Sequence, residues 1–181
     1  NDNDNDIYNQ SLSTDTQTFI SDRKTYYSSL GVPQSFVNGN SLPPGSSPSQ
    51  SQLDKFKDLY SSYKLSLGKS DKVSVIVENI SETNPSNSLK LHTVLVEIEH
   101  TFDTAPDTNG QTHFEYSIID HLDSRSVSFP DGAKLVTYSF DYPDSIISID
   151  NRTPSKLALI SFIQDDATKQ VLQAIYKEVS N

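Results

Sequence analysis

The segment that decides the N-terminal fold is residues 26–39, with the sequence YYSSLGVPQSFVNG. It predicts the end of a helix followed by a stop at Gly31, because glycine readily adopts the left-handed conformation that ends helices. Proline restricts the residue before it to an extended conformation, so Val32-Pro33 introduces a strand. Residues 34–37 form that strand, and Asn38-Gly39 is a strong turn signal.

On either side of this segment, apolar residues recur at helical spacing. A first helix is predicted from Ser13 or Thr14, both good N-caps, to Leu30. Residues 40–50 are rich in proline and serine and predict an irregular loop. A second helix is predicted from the three- and four-residue spacing of Leu53, Phe56, Tyr60, Tyr63 and Leu67. We therefore expect a polar tail (1–12), an α+β region (13–67) and a linker (68–72).

After the predicted linker, the apolar period changes to two. Val73, Val75 and Val77 alternate, and residues 89–99 form another strand whose alternation slips near Thr93-Val94, which predicts a bulge. Residues 157–164 are almost continuously apolar, as in a central strand. Residues 171–178 would suit a helix as well as a strand, but the compact linker at 165–168 favours a hairpin. The prediction for 73–181 is an all-β antiparallel sandwich of immunoglobulin type.

Composition excludes several functions. The 181 residues include 14 basic and 24 acidic side chains, a net charge of −10, so nucleic acid and anionic membrane surfaces are poor partners. Cysteine is absent, which excludes disulfides, thiolate catalysis and thiolate zinc sites. No segment approaches the roughly 18 consecutive apolar residues of a membrane span. We predict no cofactor and no metal.

The order of these segments resembles the thioredoxin-like outer-membrane lipoproteins of Bacteroidota, in which a thioredoxin-type domain precedes an immunoglobulin-like domain. The resemblance is carried by Tyr26-Tyr27, Gly31-Val32-Pro33, Asn38-Gly39, residues 109–114, residues 162–165 and residues 169–174. It implies that 13–67 is a partial thioredoxin-like region and that upstream sequence completes its core. It also implies an extracytoplasmic location, at the outer membrane or cell surface, with a lipid anchor on that upstream part. The expected partner is another envelope protein, within an outer-membrane complex.

Val32 and Pro33 are the first candidate site. In thioredoxin folds this proline is cis and the backbone before it pairs with an extended substrate, so the resemblance implies a peptide-binding loop. The simpler interpretation is that Pro33 only opens a strand.

The resemblance also implies glycosylation. Asp103-Thr104-Ala105 and Asp144-Ser145-Ile146 match the Asp-Ser/Thr-aliphatic pattern that Bacteroidota use for O-glycosylation of exported proteins. The predicted modified residues are Thr104 and Ser145.

Other chemistry is weakly indicated. Asp2, Asp4 and Asp6 alternate as at the start of a calcium loop, but the glycine and distal glutamate of that loop are missing, which favours a solvated acidic tail. His100 and His113 flank a segment with two aspartates, although nothing fixes their spacing. Core packing is the default interpretation for the tyrosines, with an aromatic carbohydrate platform as the alternative.

The acidic, cysteine-free composition and the resemblance together imply a non-enzymatic cell-envelope or surface module that binds or assembles with a protein and carries a cysteine-free thioredoxin-like remnant. The main alternative is a fragment of a thiol-disulfide oxidoreductase whose Cys-x-x-Cys lies upstream. A calcium-dependent adhesin built on the sandwich is a third hypothesis.

Overall fold

The computed structural model describes residues 12–29, 34–43, 45–57, 60–82, 88–105, 110–130, 132–143 and 156–179. Over these ranges the chain forms two helices and nine strands. In chain order they are α1 (Thr14–Tyr26), β1 (Phe36–Val37), β2 (Asn40–Ser41), α2 (Gln50–Lys57), β3 (Tyr63–Lys69), β4 (Lys72–Asn79), β5 (Leu89–Thr101), β6 (His113–Ser126), β7 (Leu135–Asp141), β8 (Leu157–Asp165) and β9 (Val171–Val179). The prediction of a largely antiparallel β fold is confirmed.

The seven longer strands form two sheets, with strand orders β3-β4-β7 and β6-β5-β8-β9. Buried side chains of both sheets belong to one apolar cluster, which includes Val75 of β4, Leu95 of β5 and Leu159 of β8. The core therefore lies between the two sheets, which pack face to face.

The alternation read from the sequence accounts for the main strands. Val73, Val75 and Val77 are fully buried on one face of β4. The continuously apolar β8 is central, paired with β5 and β9 on its two sides. The register of β5 against β6 shifts between Thr93 and Val94, as predicted, and again between Leu95 and Val96. The segment that suited either a helix or a strand is strand β9.

The helix α1 begins where the sequence predicted, but it ends at Tyr26 and not at the predicted Leu30. Ser13 is its N-cap, and the Ser13 hydroxyl accepts a hydrogen bond from Thr16 N at 3.2 Å. The helix packs on the four-stranded sheet on the face turned away from the core, where Phe19 forms a second apolar cluster with Val94, Val96 and Ala158.

Two further expectations for the N-terminal third are wrong. Leu12, assigned to the polar tail, is buried in the core cluster. The second helix ends at Lys57, and Tyr63–Lys69 is a strand rather than its continuation. Tyr63 and Leu67 lie four residues apart, which fits a helix face, but Leu65 between them is also buried, so the actual period is two.

The predicted linker at 68–72 is likewise wrong. Gly68 and Lys69 end β3, Lys72 begins β4, and Lys69 pairs with Val73 across the hairpin. The boundary between the two predicted units therefore falls inside a two-stranded element of the sandwich, and β3 belongs to the β-rich part.

Candidate functional site

Only some of the predicted site residues lie in the part of the chain that the structure describes. Val32 and Pro33, Ser145, and the acidic residues 2–6 lie outside the described residues. Thr104 lies in the connection that follows β5 and is exposed, as an accessible glycosylation site requires. Its modification stays a prediction.

The structure separates the two histidines considered for a metal. His100 is buried, and its Nδ1 lies 2.7 Å from Glu97 Oε2. His113 is half-exposed, with Nδ1 3.1 Å from Thr101 Oγ1 and Nε2 3.5 Å from Glu115 Oε1. Among the described residues, no group of three or more His, Cys, Asp or Glu side chains comes together as a metal site would require.

A groove of about 640 Å³ lies beside the start of β9. Three segments that are distant in sequence form it: the β1–β2 hairpin, α2 with the residues that follow it, and the first half of β9. The described residues that line it are Val37, Asn38, Leu53, Phe56, Tyr60, Ser61, Ser62, Tyr63, Gln170, Val171, Leu172, Gln173 and Ala174.

The hairpin wall is held by its turn. Asn38 and Gly39 both have positive φ, 48° and 82°, which is the combination that a two-residue hairpin turn requires. The Asn38 side chain reaches β9, where its Oδ1 accepts a hydrogen bond from Val171 N at 2.8 Å. The predicted turn is confirmed, and it also attaches the hairpin to the sheet.

The α2 wall begins at a capping box. Gln52 N donates to Ser49 Oγ at 3.3 Å, and Ser49 N donates to Gln52 Oε1 at 2.8 Å. Leu53 and Phe56, three residues apart on one helix face, both line the groove. Leu53 remains 41% exposed, so this apolar face of the helix is incompletely covered.

The floor is formed where β9 meets the start of β3. Gln173 Nε2 donates to Tyr63 O at 3.2 Å, and Gln173 Oε1 accepts from Ala174 N at 3.0 Å. Tyr63 is buried, and burial together with the nearby Asp165 carboxylate raises the pKa of its hydroxyl. Tyr60 projects beside the groove and is fully exposed.

The groove is neutral although the chain is acidic. None of the described lining residues carries a charge, whereas the chain as a whole has a net charge of −10. Aromatic and aliphatic side chains alternate with amides and hydroxyls around it. This lining suits an uncharged ligand with apolar groups and hydrogen-bonding groups, since a charged group would lose its hydration without gaining a counter-charge.

The sequence indicates the separate parts of this site but not that they form one site. The Asn-Gly turn and the Leu53/Phe56 spacing were recognised, and the Ser49-x-x-Gln52 capping box was a further signal for the start of α2. Nothing in the local pattern indicates that the hairpin and β9 meet, since Asn38 and Val171 are separated by 133 residues.

Comparison with known proteins adds no family. No protein-family model matches the chain, and neither does any curated protein sequence. Neither described helix has the length and apolar content needed to cross a membrane. The assignment of a function therefore depends on the groove itself.

Proposed function

We propose that this chain is a non-enzymatic binding module of the cell envelope or cell surface, and that its groove holds an uncharged segment of a protein partner. The observation that carries the proposal is the groove of about 640 Å³, in which Tyr60 and Leu53 are left exposed beside uncharged amides and hydroxyls. Exposed aromatic and aliphatic side chains around a concave surface are typical of protein-recognition sites.

The backbone of β9 limits how a peptide can bind. A peptide that adds a strand to a sheet edge needs free backbone donors. Along the groove, Val171 N already donates to Asn38 and Ala174 N to Gln173. The partner segment is therefore recognised through its side chains and through the aromatic faces, as in grooves that bind proline-rich peptides, rather than as an added strand.

The resemblance to thioredoxin-like envelope lipoproteins supports the location. The order helix, hairpin, helix in α1, β1–β2 and α2 agrees with the second half of a thioredoxin domain. The seven strands β3–β9 form one sheet of three strands and one of four, which agrees with an immunoglobulin-like sandwich. The fourth of these strands, β6, lies in the same sheet as the third, β5. On this proposal, the N-terminal elements are a thioredoxin-like remnant that forms two walls of a binding site.

Selection from a library of displayed random peptides on the full immobilised chain tests the ligand chemistry. We expect enriched peptides with few charged residues and with proline or aliphatic residues at recurring positions. Leu53→Glu places an unpaired charge in the groove. It should lower the affinity for the selected peptides by at least about tenfold, which corresponds to roughly 1.4 kcal/mol.

The matched control is Leu135→Glu, since Leu135 of β7 is also exposed but does not line the groove. This variant should bind the peptides as the unmodified chain does. Peptides that are predominantly charged, or binding that both variants reduce equally, would contradict the proposal.

A further inference from the structure

A cluster of three polar side chains lies beneath α1, on the face of the four-stranded sheet away from the core. His92 of β5 and Ser124 of β6 are directly opposite each other in the strand register. Ser124 Oγ lies 2.7 Å from His92 Nδ1 and 2.9 Å from His121 Nε2. One hydroxyl therefore links two imidazoles.

The helix is attached to the sheet around His121. The ring of Phe19 stacks on the His121 ring, with centroids 3.8 Å apart and planes 8° from parallel. Thr16 Oγ1 accepts a hydrogen bond from His121 N at 3.0 Å and donates to Asp120 Oδ1 at 3.0 Å. Any displacement of His121 thus disturbs both the aromatic and the polar contact of α1.

The geometry fixes the proton arrangement of the neutral cluster. His92 is 4% exposed, its ring lies near Phe19 and Phe162, and its Nε2 has no hydrogen-bond partner among the described residues. A bare Nε2 is less costly there than a buried N–H, so the proton sits on Nδ1 and is donated to Ser124. The Ser124 hydroxyl, which has one proton, then donates to His121 Nε2.

This chain of hydrogen bonds accommodates neutral rings only. Protonation of His92 puts an unsatisfied N–H donor on the buried Nε2. Protonation of His121 turns its Nε2 from an acceptor into a donor, so the Ser124 proton loses its acceptor in the chain. Two imidazolium rings would also repel each other across one oxygen atom.

The surrounding charges act in both directions. Burial is the largest effect on His92 and disfavours its charged form. A positive charge on this ring is also opposed by Arg23 of α1, Lys90 of β5 and His121, and it is favoured by Asp166 after β8. Together these effects lower the His92 pKa to about 4. Burial also lowers the His121 pKa, against the opposing influence of Asp120 and Asp123 of β6 and of Asp15 in α1. Both rings are thus neutral at pH 7.

From this arrangement we infer that the His92–Ser124–His121 cluster is a pH-sensitive latch that holds α1 on the four-stranded sheet and releases it in acidic solution. The core between the two sheets is formed mainly by strand residues, and among the described residues at this end of the chain only Leu12, before α1, and Ile20, in α1, pack with it. The sandwich therefore remains folded when α1 leaves. The latch does not depend on what the groove binds.

Nuclear magnetic resonance of the full chain tests the latch. Amide spectra recorded from pH 7.5 to pH 4 follow α1 and β4 separately, and the ring-proton shifts of His92 and His121 report their protonation. We expect the dispersed amide signals of residues 14–26 to disappear over the same pH range in which the ring protons of His92 and His121 change their shifts. The β4 signals should persist. Simultaneous loss of α1 and β4 signals, or α1 signals that are unchanged at pH 4, would overturn the inference.

Two variants separate the latch from general acid sensitivity. His92→Gln removes one titrating ring and should move the release of α1 to lower pH. His113→Gln removes a histidine that is half-exposed on β6 and should leave the pH of α1 release unchanged. An unchanged midpoint in His92→Gln also overturns the inference; should that variant not fold, the titration of the unmodified chain decides.

Discussion

At Gly39 the backbone of the β1–β2 hairpin touches the turn between β8 and β9. A Cβ atom at this position would lie 2.2 Å from Lys169 O and 2.7 Å from Lys169 C, both of which are backbone atoms that cannot easily move. The φ of +82° adds a conformational cost for any residue except glycine. The close approach at this one residue keeps the Asn38 side chain within reach of β9.

Gly39→Ala should therefore destabilise the chain by about 3 kcal/mol, since the left-handed backbone costs about 1 kcal/mol and the overlap with Lys169 costs more. Urea unfolding measures the change. Gly110→Ala is the matched control, because Gly110 has a φ of +76° but open space around it, and should cost only about 1 kcal/mol. Equal losses in the two variants would show that the contact with Lys169 does not matter.

At the scale of the elements, α1 is attached to the sandwich through the side chain of Arg23. The Arg23 guanidinium lies over the rings of Tyr26 and Tyr27, at 4.5 and 4.7 Å from their centroids. It also donates to Gln164 Oε1 and to Tyr27 Oη, each at 2.6 Å. Because Gln164 is fully buried near the end of β8, Arg23 connects the last turn of the helix to an interior strand of the sheet.

Arg23→Lys should lower the free energy of unfolding by about 1 kcal/mol and Arg23→Ala by about 2 kcal/mol. Lysine keeps the positive charge but lacks the planar guanidinium group, which stacks on the tyrosine rings while donating to both acceptors. Alanine also removes the methylene groups of the arginine side chain and their packing. Thermal and urea unfolding give the comparison. Lys24→Ala changes an exposed neighbour on the same helix and should stay within about 0.5 kcal/mol; a loss as large as that of Arg23→Ala would contradict this account.

Element prediction succeeded where local pattern and tertiary contacts agree. The Ser13 cap, the Asn38-Gly39 turn and the alternation in β4 are determined by neighbouring residues, and each was recognisable in the sequence. The assignment of 53–67 to one helix failed because Tyr63 and Leu67 satisfy both a helical and an alternating pattern. Their partner strand, β4, decides between the two, and a local pattern does not show which strand will pair.

At the scale of the whole molecule, buried His92 couples stability to pH. Its pKa is lowered from 6.5 to about 4, so between these values the unfolded chain binds a proton that the folded chain does not. The contribution of His92 to the free energy of unfolding is therefore fully present above pH 6.5 and is lost as the pH falls toward 4. The Asp165 carboxyl, whose pKa is lowered chiefly by a hydrogen bond from Ser88, adds a loss in the same direction at lower pH.

The free energy of unfolding should fall by about 3 kcal/mol between pH 6.5 and pH 4 through His92 alone. Urea titrations at a series of pH values measure the slope. In His92→Gln the slope over this interval should be clearly smaller, because the titrating group is gone. A slope that is identical in the two proteins would assign the pH dependence to other groups.

The candidate groove also belongs to this scale, which explains why local patterns did not reveal it. Its described walls come from residues 37–38, from Leu53 and Phe56, and from residues 60–63 and 170–174. These segments are brought together only when the hairpin and α2 pack beside β9. The neutral lining could be recognised only after these segments were known to be neighbours. By contrast, the absence of cysteine already excluded thiolate chemistry at any site the chain could build.

The hydrogen bonds from β9 to the Asn38 and Gln173 side chains have a consequence for behaviour at high concentration. A sheet edge with free donors is where strands of different molecules join, and such contacts can grow into fibrils. In the folded chain, Val171 and Ala174 already have acceptors, and Lys177 Nζ reaches across to Leu67 O. Strand addition at the Val171 end of this edge therefore requires local opening, in which the β1–β2 hairpin first leaves β9.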